Sequence, residues 1–320
     1  MAAKCNCCNS EKRAPQYVNF DRMFYKPERR FEISRCMDCG LLFINPTPGP
    51  EEIGAFYPKD YGSLGNAEGT VRKYAGVRER IYSLQAKGDI FSRLQFIALF
   101  PLYRIFANRS LPAPKGQQKL LDVGCGDGNF LHYAKKAGYE VLGVEPSKFN
   151  PALSEKDGFR IINARLRDAG LPAGGFDVIT INHVIEHVDD PGEVFAEMAR
   201  IMKPDGRIIL ATPNTASVGR RIFGRYWYHM DTPRHLFLLA PANITRYAER
   251  NGLRVVRIRY TGDYSTYLGG LKYALEEKLK KQVRIPLVIK AAMVPGAFVL
   301  SEIANALSAG DLVEVELAKA

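Results

Sequence analysis

Apolar residues fall along this chain in short uninterrupted blocks: "KLLDVG" at 119–124, "EVLGVE" at 140–145, "FRIINA" at 159–164, "FDVITIN" at 176–182, "RIILATP" at 207–213, "LRVVRIRY" at 253–260 and "LVEVEL" at 312–317. A continuous apolar run bounded by turn residues predicts a strand covered on both faces. The segments between the blocks have a different period. "DDPGEVFAEMARIM" places Val194, Met198, Ile201 and Met202 on one helical face, with Asp caps and Pro191 at its start and the "KPDG" turn at its end. The helix after the first block stops at Gly138, and "ANITRYAERNG" predicts another with a Gly stop. Strand, helix, strand in alternation predicts an α/β fold, a Rossmann-like sheet of seven strands over residues 119–320. A basic, partly apolar helical insert interrupts it at about 262–309.

The amino-terminal part reads differently. Residues 71–118 show apolar positions at helical spacing (Ile81, Leu84; Leu94, Ile97; Leu102, Ile105) and end in the linker "LPAPKGQQ". Residues 1–70, rich in Cys, Pro, Gly and aromatics, predict a small loop-rich module that needs a staple. The 320 residues are 46% hydrophobic, ample for a packed core. Net charge is +11, and ten Lys/Arg against Glu79 and Asp89 fall between Val71 and Lys119, which points to an anionic partner. The chain opens on "MAAKCNCCNS" with no apolar leader, so a cytoplasmic location is expected. The longest apolar stretches, "LQFIALFPLYRIF" and "IPLVIKAAMVPGAFVL", are each broken by a charge and a proline, so no transmembrane helix is predicted.

Within "LLDVGCGDGNFL" glycine recurs at every second position: Gly124, Gly126 and Gly128. Glycine between a strand and a helix lets main-chain N–H groups approach a ligand. The dinucleotide pattern would need a third glycine at Asn129, and the phosphate-loop Gly-Lys-Ser/Thr is absent. D-x-G-x-G-x-G suits a smaller adenosyl ligand. Glu145 ends the second strand block, the position from which a carboxylate accepts both ribose hydroxyls.

Two further sets of residues carry chemistry. Cys5-x2-Cys8 and Cys36-x2-Cys39 have the spacing of two knuckles around one tetrahedral structural zinc, with Cys7 left over. Of five histidines, His187 in "HVIEHV" directly follows the fourth strand block, where open α/β sheets place their ligand crevice, and is the favoured general base; Glu186 beside it could orient it or face elsewhere. His235 in "TPRHLF" is a second candidate, while His132 reads as a helix residue. His229, with Trp227 and Tyr228, reads as part of a loop over the substrate.

Taken together, "LLDVGCGDGNFL", "GVEPS", "FDVITINHVIEHVDDP", "IMKPDGRIILATPN" and "DTPRHLFLLAPANITRYAERNGL" resemble successive motifs of class I S-adenosylmethionine-dependent methyltransferases over about 120–260. "CNCC" with "RCMDCGLLFINPTP" and "FYPKDYG" resembles the zinc-ribbon module preceding this domain in bacterial enzymes acting on sugars, glycans or secondary metabolites. The resemblance implies an antiparallel last strand. It implies that Asp122, Gly124, Gly126 and Gly128 shape the methionine side of the S-adenosylmethionine pocket, with Cys125 lining the loop. Glu145 would bind the ribose, Pro146 and Ser147 would lie beside adenine, and Asn182 and His183 would approach from the other side; Asn163 and Asp168 are the alternatives for the adenine amine. His235 resembles a recurrent position of the family.

The expected activity is O-methylation of a small molecule such as a sugar or glycan precursor, with peripheral contact to an anionic membrane surface where the substrate is lipid-linked. One alternative is an RNA-modifying methyltransferase whose ribbon and basic segment bind phosphates. "NHVIEH" after the fourth strand lacks the Asn/Asp-Pro-Pro-aromatic loop of enzymes that methylate base amines, which weighs against nucleic acid. Another alternative is a non-catalytic binding protein that keeps the fold.

Overall fold

A computed structural model describes residues 4–57, 110–262 and 264–320 of the chain. The expected helices within 71–110, most of the basic segment and the module boundary at 70 lie outside the described residues. The amino-terminal part is more regular than its sequence suggests. β1 (Arg13–Asp21) and β2 (Lys26–Cys36) form an antiparallel hairpin, β3 (Leu42–Ile44) adds to β2, and α1 (Pro50–Gly54) follows. The strand is obscured in "KPERRFEISRC" because its first half is charged and largely exposed; only from Phe31 onward do residues alternate into the core.

The methyltransferase-like part then runs through β4 (Lys119–Val123), α2 (Asn129–Lys136), β5 (Glu140–Val144), α3 (Ala152–Asp157), β6 (Arg160–Ile162), β7 (Phe176–Asn182) and α4 (Pro191–Ile201). It continues with β8 (Met202–Pro213), α5 (Val218–Phe223), β9 (Phe237–Leu238), α6 (Pro241–Arg250) and β10 (Leu253–Tyr260). α7 (Ser265–Leu279) and α8 (Leu287–Ala306) form the expected insert, and β11 (Leu312–Lys319) closes the chain. All seven apolar blocks become strands of one sheet, in the order β10-β11-β8-β7-β4-β5-β6. β4 pairs parallel with both β5 and β7, and β11 runs antiparallel between β8 and β10. The chain therefore leaves β4 toward β5 and β6, then returns to its other side at β7. At such a reversal the loops leave in opposite directions and a crevice opens at the strand ends.

The two parts are joined through both sheet and core. β9, from the later part, pairs with β3 and completes a four-stranded sheet with β1 and β2. One hydrophobic cluster contains Cys5, Ile33 and Leu41 together with Ile179, Leu210 and Trp227. Arg234 is fully buried and donates to both carboxylate oxygens of Asp21 at 2.9 and 2.8 Å and to the Phe56 carbonyl at 3.0 Å.

The apolar stretch that the sequence interrupts with a proline is one helix here. α8 runs without a break through Pro295, so twenty residues of mean hydropathy 1.7 form one helix, long and apolar enough to cross a membrane by length and composition. The proline removes one main-chain donor, and the turns on either side hold the helix through it.

Candidate active site

The glycine bend and Glu145 meet. Gly126 N–H donates to Glu145 Oε2 at 2.9 Å, and Ser147 N–H donates to Oε1 at 2.8 Å. A carboxylate has about four acceptor positions, so two are left toward the crevice. The bend carrying Glu145 is fixed from below: Asn163 Nδ2 donates to the carbonyls of Glu145 at 2.7 Å and Ser147 at 3.0 Å. Asn163 thus supports Glu145, and Pro146 and Ser147 stand exposed beside it.

The three glycines do different work. All have positive φ, +68° at Gly124, +54° at Gly126 and +82° at Gly128, a conformation glycine adopts without steric cost. A Cβ on Gly124 would come within 2.3 Å of Val184 in the turn after β7, and one on Gly128 within 2.7 Å of Phe159. Those two permit close packing. A Cβ on Gly126 would meet no atom within 4 Å, so its Cα faces open space while its N–H is given to Glu145. That pairing of a bare main-chain bend with a carboxylate fits an adenosyl ligand. Asp122 is fully buried under the bend and accepts from Thr180 Oγ1 at 2.7 Å, tying β4 to β7. Cys125, expected to line the loop, turns its thiol inward, where a Cβ on Gly143 would lie 2.5 Å away; it offers the pocket main chain only.

On the opposite side, β7 ends at Asn182, and His183 has φ +54° with its N–H bonded to the Ala211 carbonyl at 2.9 Å. A non-glycine residue in that region stores local strain, and such residues cluster at functional sites. Glu186, fully buried, accepts from Thr212 Oγ1 at 3.0 Å and lies 3.3 Å from His183 Nδ1. Burial raises its pKa, but the His183 contact and the nearby imidazoles of His187 and His235 outweigh that and hold the carboxyl below its ordinary value. It orients His183 directly and acts on His187 through its field.

His187 is positioned by other groups. Its Nδ1 lies 3.1 Å from the Arg234 carbonyl and 3.1 Å from Tyr57 Oη. A carbonyl only accepts, so Nδ1 carries the hydrogen and Nε2 holds the free lone pair. Burial, followed by the positive field of His235, lowers its pKa to about 4, so the imidazole is neutral at physiological pH. Burial also raises the Tyr57 hydroxyl well above the usual tyrosine value, keeping it protonated. His235 packs edge-on against His187 at 4.6 Å between ring centroids and donates from Nδ1 to the His229 carbonyl at 2.8 Å. One donor atom from each of Glu186, His187 and His235 lies within 4.8 Å of the others.

The remaining histidines are held elsewhere: His132 pairs with Asp157, and His229 Nε2 bonds Thr266 Oγ1 at 2.9 Å. Trp227, read as part of a covering loop, is fully buried and donates to Asp311 at 2.6 Å, a packing role. Sequence reasoning missed Tyr57 and Arg234, which meet His187, and Asp21, which holds Arg234 from a distant segment.

The four cysteines converge. Sγ of Cys5 and Cys39 are 3.6 Å apart, those of Cys8 and Cys36 are 3.5 Å apart, and all four lie within 4.8 Å of one another. Four thiolates around tetrahedral zinc at about 2.3 Å stand roughly 3.8 Å apart, so the donor set fits that ion. The knuckle is anchored on α6, where Asn243 Nδ2 donates to the Cys39 carbonyl at 2.9 Å and Arg250 to the Cys7 carbonyl at 2.7 Å.

Comparison with known proteins finds several similar chains. The chain is similar to the ubiquinone biosynthesis O-methyltransferase of Methylococcus capsulatus, at 31% identity over 150 residues, 42% of this chain and 63% of that protein. It is 34% identical over 131 residues to the protein of the same name from Caulobacter vibrioides, covering 38% of this chain and 51% of the relative. It thus spans less than two thirds of the length of these relatives. Among solved structures, an S-adenosylmethionine-dependent methyltransferase from Archaeoglobus fulgidus is similar over 71% of this chain and 94% of its own, with a TM-score of 0.43 and 21% identity. A family model described as a methyltransferase domain matches residues 94–258, just over half of the chain. With that match, the seven-stranded sheet with its antiparallel final strand and the bend facing Glu145, the chain belongs to the methyltransferase domain family, in its class I, S-adenosylmethionine-dependent branch.

Proposed function

We propose that the protein transfers a methyl group from S-adenosylmethionine to a hydroxyl oxygen of a small metabolite, the sugar or glycan-precursor class being the first to screen. The observation that carries the reading is the carboxylate of Glu145 held against the Gly126 N–H, across the strand-end crevice from a neutral His187 whose Nε2 lone pair is free. The donor supplies an electrophilic methyl on a sulfonium. Glu145 accepts hydrogen bonds from the ribose hydroxyls, the main chain at Gly126 lies along the methionine side, and His183 bounds the opposite wall. His187 Nε2 takes the acceptor hydroxyl proton as the oxygen–carbon bond forms and the sulfur–carbon bond breaks. The similarity to ubiquinone biosynthesis O-methyltransferases supports oxygen as the acceptor atom.

Cys5, Cys8, Cys36 and Cys39 are read as the ligands of one structural zinc. Such a closed four-thiolate site leaves no open coordination position, so it holds the knuckle on α6 and takes no part in the chemistry. Reduced thiols fit a cytoplasmic location. The experiment is a screen of methyl-labelled S-adenosylmethionine against metabolite and glycan extracts. Label in an ether-linked methyl product, lost with His187→Ala, supports the reading. Label in RNA, or no transfer by a protein that binds the donor, overturns it.

A further inference from the structure

The carboxy-terminal insert presents a surface that neither the sheet nor the active site uses. α8 packs a single stripe, Ala297, Ser301 and Ala304, against the protein, and both Ser301 Oγ and Asn305 Nδ2 donate to the Gly262 carbonyl, at 2.7 and 2.9 Å. Met293 and Val294 rest against the same part of the protein, and much of the remaining helix surface is apolar and exposed. Leu287 and Val288 are each 80% exposed, Ile289 51%, Val299 55%, Ile303 51% and Leu307 71%. At 100° per residue, Val288, Ile289, Val299, Ile303 and Leu307 fall on one stripe, turned away from the packed one. Contiguous apolar surface of this kind marks a partner.

Charge identifies the partner. Lys278, Lys280, Lys281, Arg284 and Lys290 cluster where α7 gives way to α8, all exposed and none within 4.0 Å of a carboxylate among the described residues. Glu302 is the one acid between residues 278 and 307. A second copy seated on the stripe would supply that one acid and add five more cations to the same surface, whereas anionic phospholipid headgroups would neutralise those present. The helix cannot span a bilayer without breaking its bonds to Gly262, because its carboxy-terminal half is fixed along the protein surface.

We propose that α8 lies in the interfacial layer of an anionic membrane, with its exposed apolar stripe among the acyl chains and the 278–290 cations on the headgroup phosphates. Docking in this way does not depend on the methyl-transfer reading.

Flotation of the full chain tests it, with phosphatidylcholine vesicles containing about one third phosphatidylglycerol against phosphatidylcholine alone. The expected result is binding to the anionic vesicles that weakens as salt rises. The triple variant Lys280→Ala, Lys281→Ala, Arg284→Ala should bind on the order of a hundredfold more weakly, about fivefold per cation. Val288→Asp with Ile303→Asp should abolish binding, while calorimetric affinity for S-adenosylmethionine, unchanged in both variants, shows that the fold is intact. Three results would overturn the proposal: no flotation of the wild type at low salt, equal binding to uncharged vesicles, or variants that bind like the wild type. A concentration-dependent dimer that Val288→Asp disperses, without flotation, would overturn it in favour of a second copy. Failure of the wild type to bind S-adenosylmethionine would count against the methyltransferase reading and leave this one standing.

Discussion

The two walls of the crevice are built by opposite means. The donor side is local: Gly126 and Glu145 lie nineteen residues apart, and parallel pairing of β4 with β5 brings them together. The acceptor side is assembled from afar. Tyr57 reaches His187 across 130 residues, and Asp21 reaches Arg234 across 213, so His187 is oriented by groups that the amino-terminal lobe delivers or holds in place. On the proposed reading, donor recognition is therefore written in backbone conformation, and acceptor chemistry depends on how two lobes dock.

The largest expected effect sharpens that contrast. His187→Ala should lower kcat by about 10²–10⁴-fold while leaving donor affinity near wild type, measured by steady-state kinetics beside calorimetry. Because the imidazole titrates near 4, the acid limb of kcat should fall near pH 4 and not near the ordinary histidine value of 6.5. The sign for stability follows from the same shift. The unfolded chain protonates at the higher pKa, so His187 costs stability as pH falls from about 6.5 toward 4 and costs none above that window.

Next in size is the link between the lobes. Asp21→Ala leaves the fully buried Arg234 with half of its compensation, and should destabilise the protein by about 3–5 kcal/mol, read as a shift in the denaturation midpoint. It should also slow turnover by loosening the Arg234 carbonyl that fixes His187, with donor binding spared.

A pair of glycine substitutions probes the donor wall itself. Gly124→Ala drives a methyl into Val184 and should cost stability, whereas Gly126→Ala meets open space and should lose only about 1–2 kcal/mol from its positive φ while weakening donor binding. Thermal unfolding with calorimetry on both variants separates packing from recognition. Smallest is Tyr57→Phe, which removes one hydrogen bond to a neutral imidazole and should reduce kcat by no more than about tenfold.

What the sequence made legible follows the same division. Each of the seven apolar blocks became a strand of the large sheet, and β10 has the bounds of its block, because burial on both faces leaves a pattern readable in one segment. The glycine spacing with Glu145, and the paired cysteine knuckles, were legible because chemistry at those places sets residue type at fixed intervals. β2 was hidden by charges on its exposed half, and β1 by the exposed proline and glutamine within it. Nothing local marks Asp21, Tyr57 or Arg234, since their roles arise only from docking. Adjacency left Glu186 either to orient His187 or to face elsewhere; its side chain meets His183, the turn after β7 having rotated successive residues to different sides.

The central claim is that Glu145 and the bend at Gly126 grip the adenosyl donor. Titration calorimetry of S-adenosylmethionine into wild type and Glu145→Ala tests it most directly. Loss of two charge-assisted hydrogen bonds predicts binding weaker by roughly 100-fold or more, with the unfolding midpoint nearly unchanged. An affinity equal to wild type in a folded Glu145→Ala protein would contradict the account.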